Sequence, residues 1–185
     1  MNPTLYHRHG LGQFLVDLGL VGHGVEVGSA FGGFAQRIVE QWPGECLHLV
    51  DPWVKQDPNV YREKTNHEAP FQSWYENAKS ILSPYGNRVQ FHRMFSSEGS
   101  ALFADGSLDF VYLDGNHSFE AVSEDLRLWV PKIKPGGLVS GHDYGNGITD
   151  GHYCQVKDAL DKWAAENSVS FRLTAGGCSS WYFIK

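Results

Sequence analysis

The sequence predicts an α/β protein built on a doubly wound, mostly parallel sheet. Short apolar segments with the composition of strands alternate along the chain with longer segments of helical periodicity, which is the order of consecutive strand–helix–strand units. The last two strand-like segments, 168–174 and 179–185, are separated by a short connection that contains Gly176 and Gly177. Because so short a connection joins neighbouring antiparallel strands, we expect these two segments to close the sheet as a hairpin.

The individual elements follow from the spacing of the apolar residues. Apolar positions three or four residues apart predict helices at 11–20, 34–40, 71–82, 97–103, from after Gly115 to Trp129, and at 156–165. Continuous or alternating apolar runs predict strands at 25–27, 46–51 and 88–93, and two further strands that end at Asp114 and at His142-Asp143.

Two stretches lie outside this regular pattern. Residues 52–70 are polar, contain Pro58 and Pro70 and show little periodicity, so we expect a substrate-side loop over the carboxyl edge of the sheet. Residues 1–22 form an arm followed by the first helix, and the arm is open to two interpretations, part of a lid or a solvated tail. The absence of repeats and linkers predicts a single domain over residues 1–185.

The composition argues against several classes of protein. The formal net charge is −6 and there is no basic cluster, so nucleic acid is not an expected partner. The three cysteines, Cys46, Cys154 and Cys178, are widely separated without C-x-x-C spacing, which indicates reduced thiols rather than disulfides or a zinc site. The first residues lack the pattern of a leader, and no apolar run is long enough to span a bilayer. We therefore expect a cytoplasmic protein with no membrane partner.

The stretch from Val25 to Phe34 is the main indication of ligand binding. Its pattern predicts a strand, a glycine turn and the start of a helix. The unpaired N–H groups of the helix start and the lack of a Cβ at the glycines let a ligand approach the backbone. A purely structural turn is the alternative. The spacing is Glu-x-Gly-x-x-x-Gly, not the G-x-G-x-x-G of dinucleotide folds, and Glu26 would repel a diphosphate. A cationic cofactor that carries an amino acid fits better. The expected contacts are Glu26, Gly28, Ser29, Phe31 and Gly32.

The ends of the next two strands extend the predicted cofactor site. Asp51 ends the second strand, where an acidic side chain can accept both hydroxyls of a ribose, and a helix cap or turn role is the alternative. Pro52 and Trp53 follow, and the indole is expected either to pack against the cofactor or to fill the core. Met94, Phe95 and Ser96, at the end of the third strand, would flank the cofactor's base, and a place in the core is the alternative for the Met-Phe pair.

Four residues that can carry chemistry lie at the ends of two later strands. Asp114 ends one strand, His117 follows it, and His142 and Asp143 end the next strand along the chain. If these strands are parallel neighbours about 4.8 Å apart, the side chains converge on one rim of the sheet. Two carboxylates and an imidazole can hold Mg²⁺ or a related divalent ion, and His117 would lie near enough to take a proton from a hydroxyl bound there.

With these residues in view, the chain resembles class I S-adenosylmethionine-dependent methyltransferases from about Leu11 to the last strand. The resemblance implies a Rossmann-like, seven-stranded sheet that ends in an antiparallel hairpin. Within the class, the segments Leu113–Glu120, Pro135–Gly137 and Gly141–Tyr144 resemble a group of small, stand-alone bacterial methyltransferases. That group includes metal-dependent sugar O-methyltransferases of the macrolide-tailoring type and is more distantly similar to catechol and caffeoyl-CoA O-methyltransferases.

The resemblance implies a role for each of these positions. Glu26 and Gly28 match the first cofactor motif, and Asp51 matches the acid that binds the ribose. Asp114, His142 and Asp143 match the three metal ligands, with Mg²⁺ or Mn²⁺ as the expected ion, and Asp114 also lies at the cofactor. His117 falls where the sugar enzymes place a histidine base. One departure is that His142 replaces an Asp or Glu, which lowers the negative charge of the site and puts the occupancy of the metal site in doubt.

Three hypotheses follow from this comparison. The first is an O-methyltransferase that uses S-adenosylmethionine and a divalent metal on a small hydroxylated acceptor, either a sugar or a phenol. The alternatives are a metal-independent methyltransferase and a cofactor-binding domain without catalysis. The acceptor pocket is expected to involve the 52–70 loop and the segment Tyr144–Tyr153, with Asn146, Asp150 and His152. A domain of this size can complete its pocket with a neighbour's loops, so a homodimer is left open.

Overall fold

The structure, a computed structural model, describes residues 3–149, 152–176 and 179–185. The strands are β1 (His23–Val27), β2 (Cys46–Val50), β3 (Val89–His92), β4 (Leu108–Leu113), β5 (Ile133–Gly141), β6 (Gly147–Thr149), β7 (His152–Cys154), β8 (Arg172–Leu173) and β9 (Trp181–Ile184). The helices are α1 (Leu11–Asp17), α2 (Gly33–Gln41), α3 (Lys64–Glu68), α4 (Phe71–Leu82), α5 (Ser96–Ser100), α6 (Phe119–Trp129) and α7 (Val156–Asn167).

The central sheet has seven strands in the order β3-β2-β1-β4-β5-β9-β8. The pairs from β3 through β5 are parallel, whereas β9 is antiparallel to both β5 and β8. The predicted doubly wound sheet with a C-terminal antiparallel hairpin is therefore confirmed. The strand order reverses between β1 and β4, and in open α/β sheets the crevice at such a reversal is where ligands bind.

Helices cover both faces of the sheet, so alternate residues of each strand enter different cores. Helices α1, α2 and α4 bury one face, which includes Leu47 and Leu49 of β2 and Phe110 and Tyr112 of β4. Helices α6 and α7 bury the other face through Val122, Leu126, Trp129, Val156, Ala159 and Leu160. Each fully buried Val, Leu or Phe side chain contributes about 1.5–3 kcal/mol relative to exposure, which fixes the sheet that positions the site.

Several element predictions need correction in detail. The 52–70 segment is not a structureless loop, because it contains α3 and the buried residues Glu63 and Asn66. The Asn66 amide holds this segment together by donating to the carbonyl oxygens of Gln56 and Tyr61. The strand expected at 168–174 is limited to β8, and Gly177 in the connection to β9 lies outside the described residues. The two-stranded hairpin of β6 and β7 was not predicted.

The N-terminal arm is packed against the body of the protein. Leu5 is buried, and its N–H donates to the hydroxyl of Tyr182. The carbonyl of Tyr6 accepts from the N–H of Ala175. Of the two interpretations that the sequence left open, a free solvated tail does not fit these two anchoring contacts, although Tyr6, His7 and His9 are exposed. Within the described part of the chain, no helix combines the length and the apolar character needed to cross a membrane.

Candidate active site

A cavity of about 760 Å³ opens at the carboxyl ends of β1, β2 and β4. Its walls come from the turns after these strands, from the N-terminal arm and from the 52–70 segment. Of the predicted cofactor contacts, those that line it are Glu26, Gly28, Ser29, Phe31, Asp51, Pro52, Phe95, Ser96 and Asp114. The volume lies in the range of small-molecule and cofactor sites, and the position is the strand-order reversal described above.

The glycine turn after β1 is shaped by close backbone contacts. Gly28 has φ of +84°, and a Cβ built on it would lie 2.1 Å from the carbonyl oxygen of Asp114. Gly32 also has φ of +84° and precedes α2, but a Cβ there would meet Ala78 of α4. Gly32 is not among the lining residues. Its observed role is in the close approach of α2 and α4, and the direct cofactor contact stays a prediction.

Substituting Gly28 by alanine tests the turn. Positive φ and the contact with the Asp114 carbonyl act together, so we expect Gly28→Ala to lower the free energy of unfolding by about 3 kcal/mol. Gly106→Ala is the matched control, because Gly106 has φ of +70° but no atom within 4 Å of the added Cβ. In the control, the free energy of unfolding should fall only by the backbone cost of a positive φ, about 1 kcal/mol. Urea denaturation measures both values, and an equal fall in the free energy of unfolding of Gly28→Ala and Gly106→Ala would contradict the steric explanation.

Glu26 is a buried carboxyl group that lines the cavity, and one of its two oxygens is unpaired. The residue is 2% exposed, and its Oε2 has no hydrogen-bond partner among the described residues. Burial, helped by the negative charge of Asp114, raises the pKa of Glu26 to about 8. A buried carboxyl group without a partner is costly in a folded protein. The ammonium group of an amino-acid cofactor would supply the missing donor and the opposite charge, so the residue fits S-adenosylmethionine.

The raised pKa of Glu26 predicts a proton-linked binding event. The free protein holds this carboxyl protonated at pH 7, and a bound ammonium favours the carboxylate, so we expect release of about one proton as the cofactor binds. The folded-state pKa lies above the ordinary value of 4.5, so in the absence of ligand the free energy of unfolding should fall between pH 4.5 and about 8. The slope from this group is at most about 1.4 kcal/mol per pH unit.

Calorimetric titration of S-adenosylmethionine in buffers of different ionisation enthalpy measures this proton release. The Glu26→Gln variant should bind the cofactor more weakly and show a smaller dependence on the buffer. Glu76→Gln, at an exposed position on α4, is the control and should behave as the wild type. Identical buffer dependence in wild type and Glu26→Gln would show that Glu26 does not carry the proton.

Asp51 takes the turn role that the sequence left open, and it also lines the cavity where the ribose role is predicted. Its carboxylate accepts the N–H groups of Ala30 at 3.0 Å and of Trp53 at 2.7 Å, so it ties together the turns after β1 and β2. It also lines the cavity, where its remaining lone pairs can accept hydrogen bonds from a ligand. Burial, opposed by these backbone N–H donors, raises its pKa. The carboxylate is held in place by the backbone before any ribose binds.

Trp53 lies in the core and does not line the cavity. The residue is 1% exposed, packs against Tyr75 and Phe91, and donates its indole N–H to the carbonyl of Ala30 at 2.6 Å. The predicted cofactor contact is therefore corrected to the alternative in which the indole fills the core. Ala30 and Trp53 both have positive φ, and such strained residues occur where the surrounding structure holds a functional turn in place.

Three aromatic or hydroxyl side chains form the outer wall of the cavity. Phe31 and Phe95 are 53% and 47% exposed, and both line the opening. Ser96 begins α5; its hydroxyl donates to the Asp125 carboxylate and accepts the indole N–H of Trp129. Large apolar side chains left open at the mouth of a cavity are suited to covering a planar ring.

The predicted rim of acids and histidines is formed by the neighbouring strands β4 and β5. Donor atoms of Asp114, His142 and Asp143 all lie within 4.8 Å of one another. His142 Nδ1 is 3.0 Å from Asp143 Oδ1 and 3.8 Å from Asp114 Oδ1. Asp143 has φ of +52°, a strained conformation for a residue with a side chain. The carboxylates and the imidazole are thus gathered as a cation site requires.

His117 joins this rim through its Nε2 atom. That nitrogen lies 3.5 Å from Asp114 Oδ1 and 3.3 Å from Asp143 Oδ2, without an aligned hydrogen bond to either. Its Nδ1 is 2.8 Å from Oε1 of Glu63, which also accepts the His117 backbone N–H. Burial alone lowers the pKa of His117, but the carboxylates of Asp114 and Glu63 outweigh it and raise the pKa well above its ordinary value.

Sequence reasoning missed two charged residues of the site, Glu63 and Arg8. Glu63 is 2% exposed and orients His117 from the 52–70 segment. Arg8 lies 3.6 Å from Asp114 Oδ2, stacks over the Phe34 ring at 4.3 Å and lines the cavity. Both sit in segments without periodicity and reach the rim only through the tertiary fold. No local pattern in the sequence indicates either contact.

The segment after β5 is placed differently from the prediction. The Tyr144 hydroxyl donates to Asp161 at 2.8 Å and the Asn146 amide donates to Asp158 at 2.7 Å, so both side chains are engaged by α7. Neither residue lines the cavity. Asp150 and the side chain of His152 lie outside the described residues. The acceptor contacts expected from Tyr144 and Asn146 are therefore corrected.

The fold and the cavity define an S-adenosylmethionine-dependent methyltransferase domain of class I. The sheet order with its antiparallel last strands, the glycine turn after β1 and the acid after β2 together carry this assignment. A family model described as Methyltransferase domain matches residues 25–144. The chain belongs to this family.

Solved structures of methyltransferases share the fold at low sequence identity. An O-methyltransferase from Bacillus cereus in complex with SAH has a TM-score of 0.69 and 13% identity, covering 99% of this chain and 82% of that chain. The O-methyltransferase TomG from Streptomyces achromogenes, involved in tomaymycin synthesis and in complex with SAM, has a TM-score of 0.65 and 13% identity over 100% and 82% of the two chains.

Other similar proteins do not narrow the choice of methyl acceptor. The N-methyltransferase NodS from Bradyrhizobium japonicum has a TM-score of 0.62 and 12% identity, covering 96% of this chain and 94% of that chain. The curated protein y4gI from Sinorhizobium fredii is 27% identical over an alignment of 146 residues that covers 74% of this chain and 15% of that protein. The chain thus spans a small part of the length of this relative.

Proposed function

We propose that the chain transfers the methyl group of S-adenosylmethionine to a hydroxyl oxygen of a small acceptor, with a divalent cation at Asp114, His142 and Asp143. The observation that carries the proposal is the joint position of two features in one cavity. Glu26, a buried carboxyl group with one unpaired oxygen, lies in the same cavity as a rim where a histidine approaches two carboxylates. Binding the cofactor alone does not require that second feature.

Three residues around the cavity bind different parts of the cofactor. Glu26 accepts the ammonium group, and Asp51 accepts the ribose hydroxyls from a carboxylate already fixed by two backbone N–H groups. Arg8 offers a cation to the cofactor's carboxylate, since its Nε is buried without a hydrogen-bond partner in the described structure. The sulfonium supplies an activated methyl group, so the main task of the protein is to align the acceptor oxygen with it.

His117 is the group that takes the acceptor's proton. It can do so only as the neutral imidazole, so its raised pKa predicts a reaction rate that increases with pH. Glu63 holds Nδ1, which leaves Nε2 directed at the rim between Asp114 and Asp143. A base oriented by a buried carboxylate is the arrangement that proton transfer needs. A cation on Asp114, His142 and Asp143 would lower the pKa of a neighbouring hydroxyl and orient it. The donor set of two carboxylate oxygens and one imidazole fits Mn²⁺ at least as well as Mg²⁺.

The metal-independent alternative is favoured by one specific observation. In the structure the His117 imidazole itself lies between three carboxylates, those of Glu63, Asp114 and Asp143. A protonated His117 compensates the negative charge of the rim without an ion, and it must lose that proton before it can serve as the base. In this alternative His117 acts with Glu63 alone, and Asp114 orients the imidazole and the cofactor.

Methyl transfer from labelled S-adenosylmethionine to a panel of sugars, catechols and amines tests both forms of the proposal. The protein is first treated with EDTA, and Mg²⁺ or Mn²⁺ is then restored. Activity that returns only with the ion supports the metal-assisted reaction, whereas full activity in EDTA supports the alternative. Label transferred only to amine acceptors would overturn the assignment of oxygen as the methyl acceptor.

Glu63→Gln tests the orientation of His117. The amide keeps the size of the side chain but removes the charge, so we expect kcat to fall by about 10–100-fold with little change in cofactor affinity. The pH profile of kcat should shift to lower pH, because the carboxylate of Glu63 helps to raise the pKa of His117. Glu68→Gln, on the exposed end of α3, is the control. An unchanged kcat in Glu63→Gln would remove Glu63 from the mechanism.

A further inference from the structure

Three histidines and a cysteine line up on one face of the sheet, away from the cavity. In the parallel register His23 of β1 pairs with Cys46 of β2, and His48 follows two residues after Cys46. Directly paired residues and residues two apart on a strand point to the same face. His92 of β3 lies two residues beyond Gln90, the partner of His48, and so joins the same face.

The register brings the side chains of this group into contact. His23 Nδ1 is 3.1 Å from His48 Nε2, and ligand atoms of His23, Cys46 and His48 all lie within 4.8 Å of one another. The spacing of the cysteines along the sequence argued against a zinc site. The sheet nevertheless supplies one thiol and two imidazoles from neighbouring strands.

The second nitrogen of each histidine already has a partner. His23 Nε2 lies 3.3 Å from the Glu45 carboxylate, and His48 Nδ1 lies 3.0 Å from His92 Nε2. Phe103 packs against the rings of His48 and His92. Histidines that ligate metals characteristically have the other ring nitrogen held in this way, which fixes the tautomer and the ring.

We propose that His23, Cys46 and His48 form a binding site for a thiophilic divalent metal ion such as Zn²⁺. One thiolate and two imidazoles are a donor set that zinc prefers, and a water completes four-coordination. A site that bound only hard ions such as Mg²⁺ would offer oxygen atoms instead. This site differs from the proposed cation site of the active centre in both its ligands and its position in the fold.

The group is accessible to an ion from solvent, and it lies away from the active site. His23 and Cys46 begin β1 and β2, so the group lies towards the amino ends of the strands, whereas the cavity opens at their carboxyl ends. The His23 side chain is 45% exposed, while Cys46 and His48 are buried. The exposed imidazole would bind first and pass the ion to the buried donors.

Titration of the purified chain with Co²⁺, followed by displacement with Zn²⁺, tests the site. A thiolate–cobalt charge-transfer band in the near ultraviolet, with the visible spectrum of tetrahedral Co²⁺, is expected at about one equivalent. The band should vanish in Cys46→Ser. Affinity should fall at least about tenfold in His23→Gln, because even partners outside the ligand set contribute that much.

Three control variants make the result specific. His67→Gln removes an exposed histidine on α3, and Cys154→Ser removes the other described thiol; both should keep the band. Asp143→Asn should also keep it, because the proposed active-site ion has no thiol ligand. Circular dichroism checks that Cys46→Ser folds, and the exposed His23→Gln provides the test if it does not. A folded wild type without the band, or a band that survives Cys46→Ser, would overturn the proposal.

Discussion

The His117→Ala variant is expected to lose about 10²–10⁴-fold in kcat, the usual contribution of a positioned general base. Its affinity for S-adenosylmethionine should change by less than about threefold, because the residues proposed to hold the cofactor are Glu26, Asp51 and Arg8. The reason lies in the geometry of the imidazole. Glu63 fixes Nδ1 at 2.8 Å, so Nε2 is the nitrogen that faces the rim.

Stopped assays under saturating cofactor measure kcat, and calorimetry measures the affinity for the cofactor. His67→Ala, at an exposed position, controls for the loss of a histidine as such. If His117→Ala keeps its kcat, the proton leaves by another route and His117 serves only to neutralise the rim. If cofactor affinity falls in parallel with kcat, the residue supports the cavity and not the chemistry.

The Asp114→Asn variant is expected to lose both cation binding and methyl transfer. The Asp114 carboxylate is the common neighbour of Arg8 at 3.6 Å, His117 at 3.5 Å and His142 at 3.8 Å. The amide keeps the shape of the side chain but removes the charge that these three groups share. We expect Mn²⁺ affinity to fall by at least about 100-fold and kcat/KM by about 10³-fold.

Titration of Mn²⁺ followed by electron paramagnetic resonance measures the binding event. Asp105→Asn, an exposed aspartate paired with Lys132, is the matched control and should bind as the wild type does. Retention of stoichiometric Mn²⁺ binding in Asp114→Asn would place the ion elsewhere. Loss of methyl transfer without any Mn²⁺ binding in the wild type would favour the metal-independent alternative.

The parts of the site that were predicted from the sequence are those set by strand ends. Asp114 and Asp143 follow strands that are joined by one crossover helix, and such strands are commonly parallel neighbours. Their carboxylates therefore meet without any knowledge of the loops. The same argument placed Asp51 beside the glycine turn, where it now accepts the N–H of Ala30.

The parts that were missed depend on segments with no periodicity. Glu63 reaches His117 because Asn66 and the short helix α3 fold the 52–70 segment back over the rim. Arg8 reaches Asp114 because Leu5 and Tyr6 anchor the arm to the far end of the chain. The position of Trp53 could not be predicted from the sequence, because an indole that follows a strand can either fill the core or contact a ligand. Only its packing in the structure shows that it fills the core.

Binding of S-adenosylmethionine to the purified chain is the measurement that tests the account most directly. Calorimetric titration should show about one equivalent bound, with the affinity reduced in Glu26→Gln and Asp51→Ala, and the bound cofactor should raise the melting temperature. Wild-type protein that is folded but shows neither heat of binding nor thermal stabilisation with S-adenosylmethionine or S-adenosylhomocysteine would contradict the assignment of the cavity as a cofactor site.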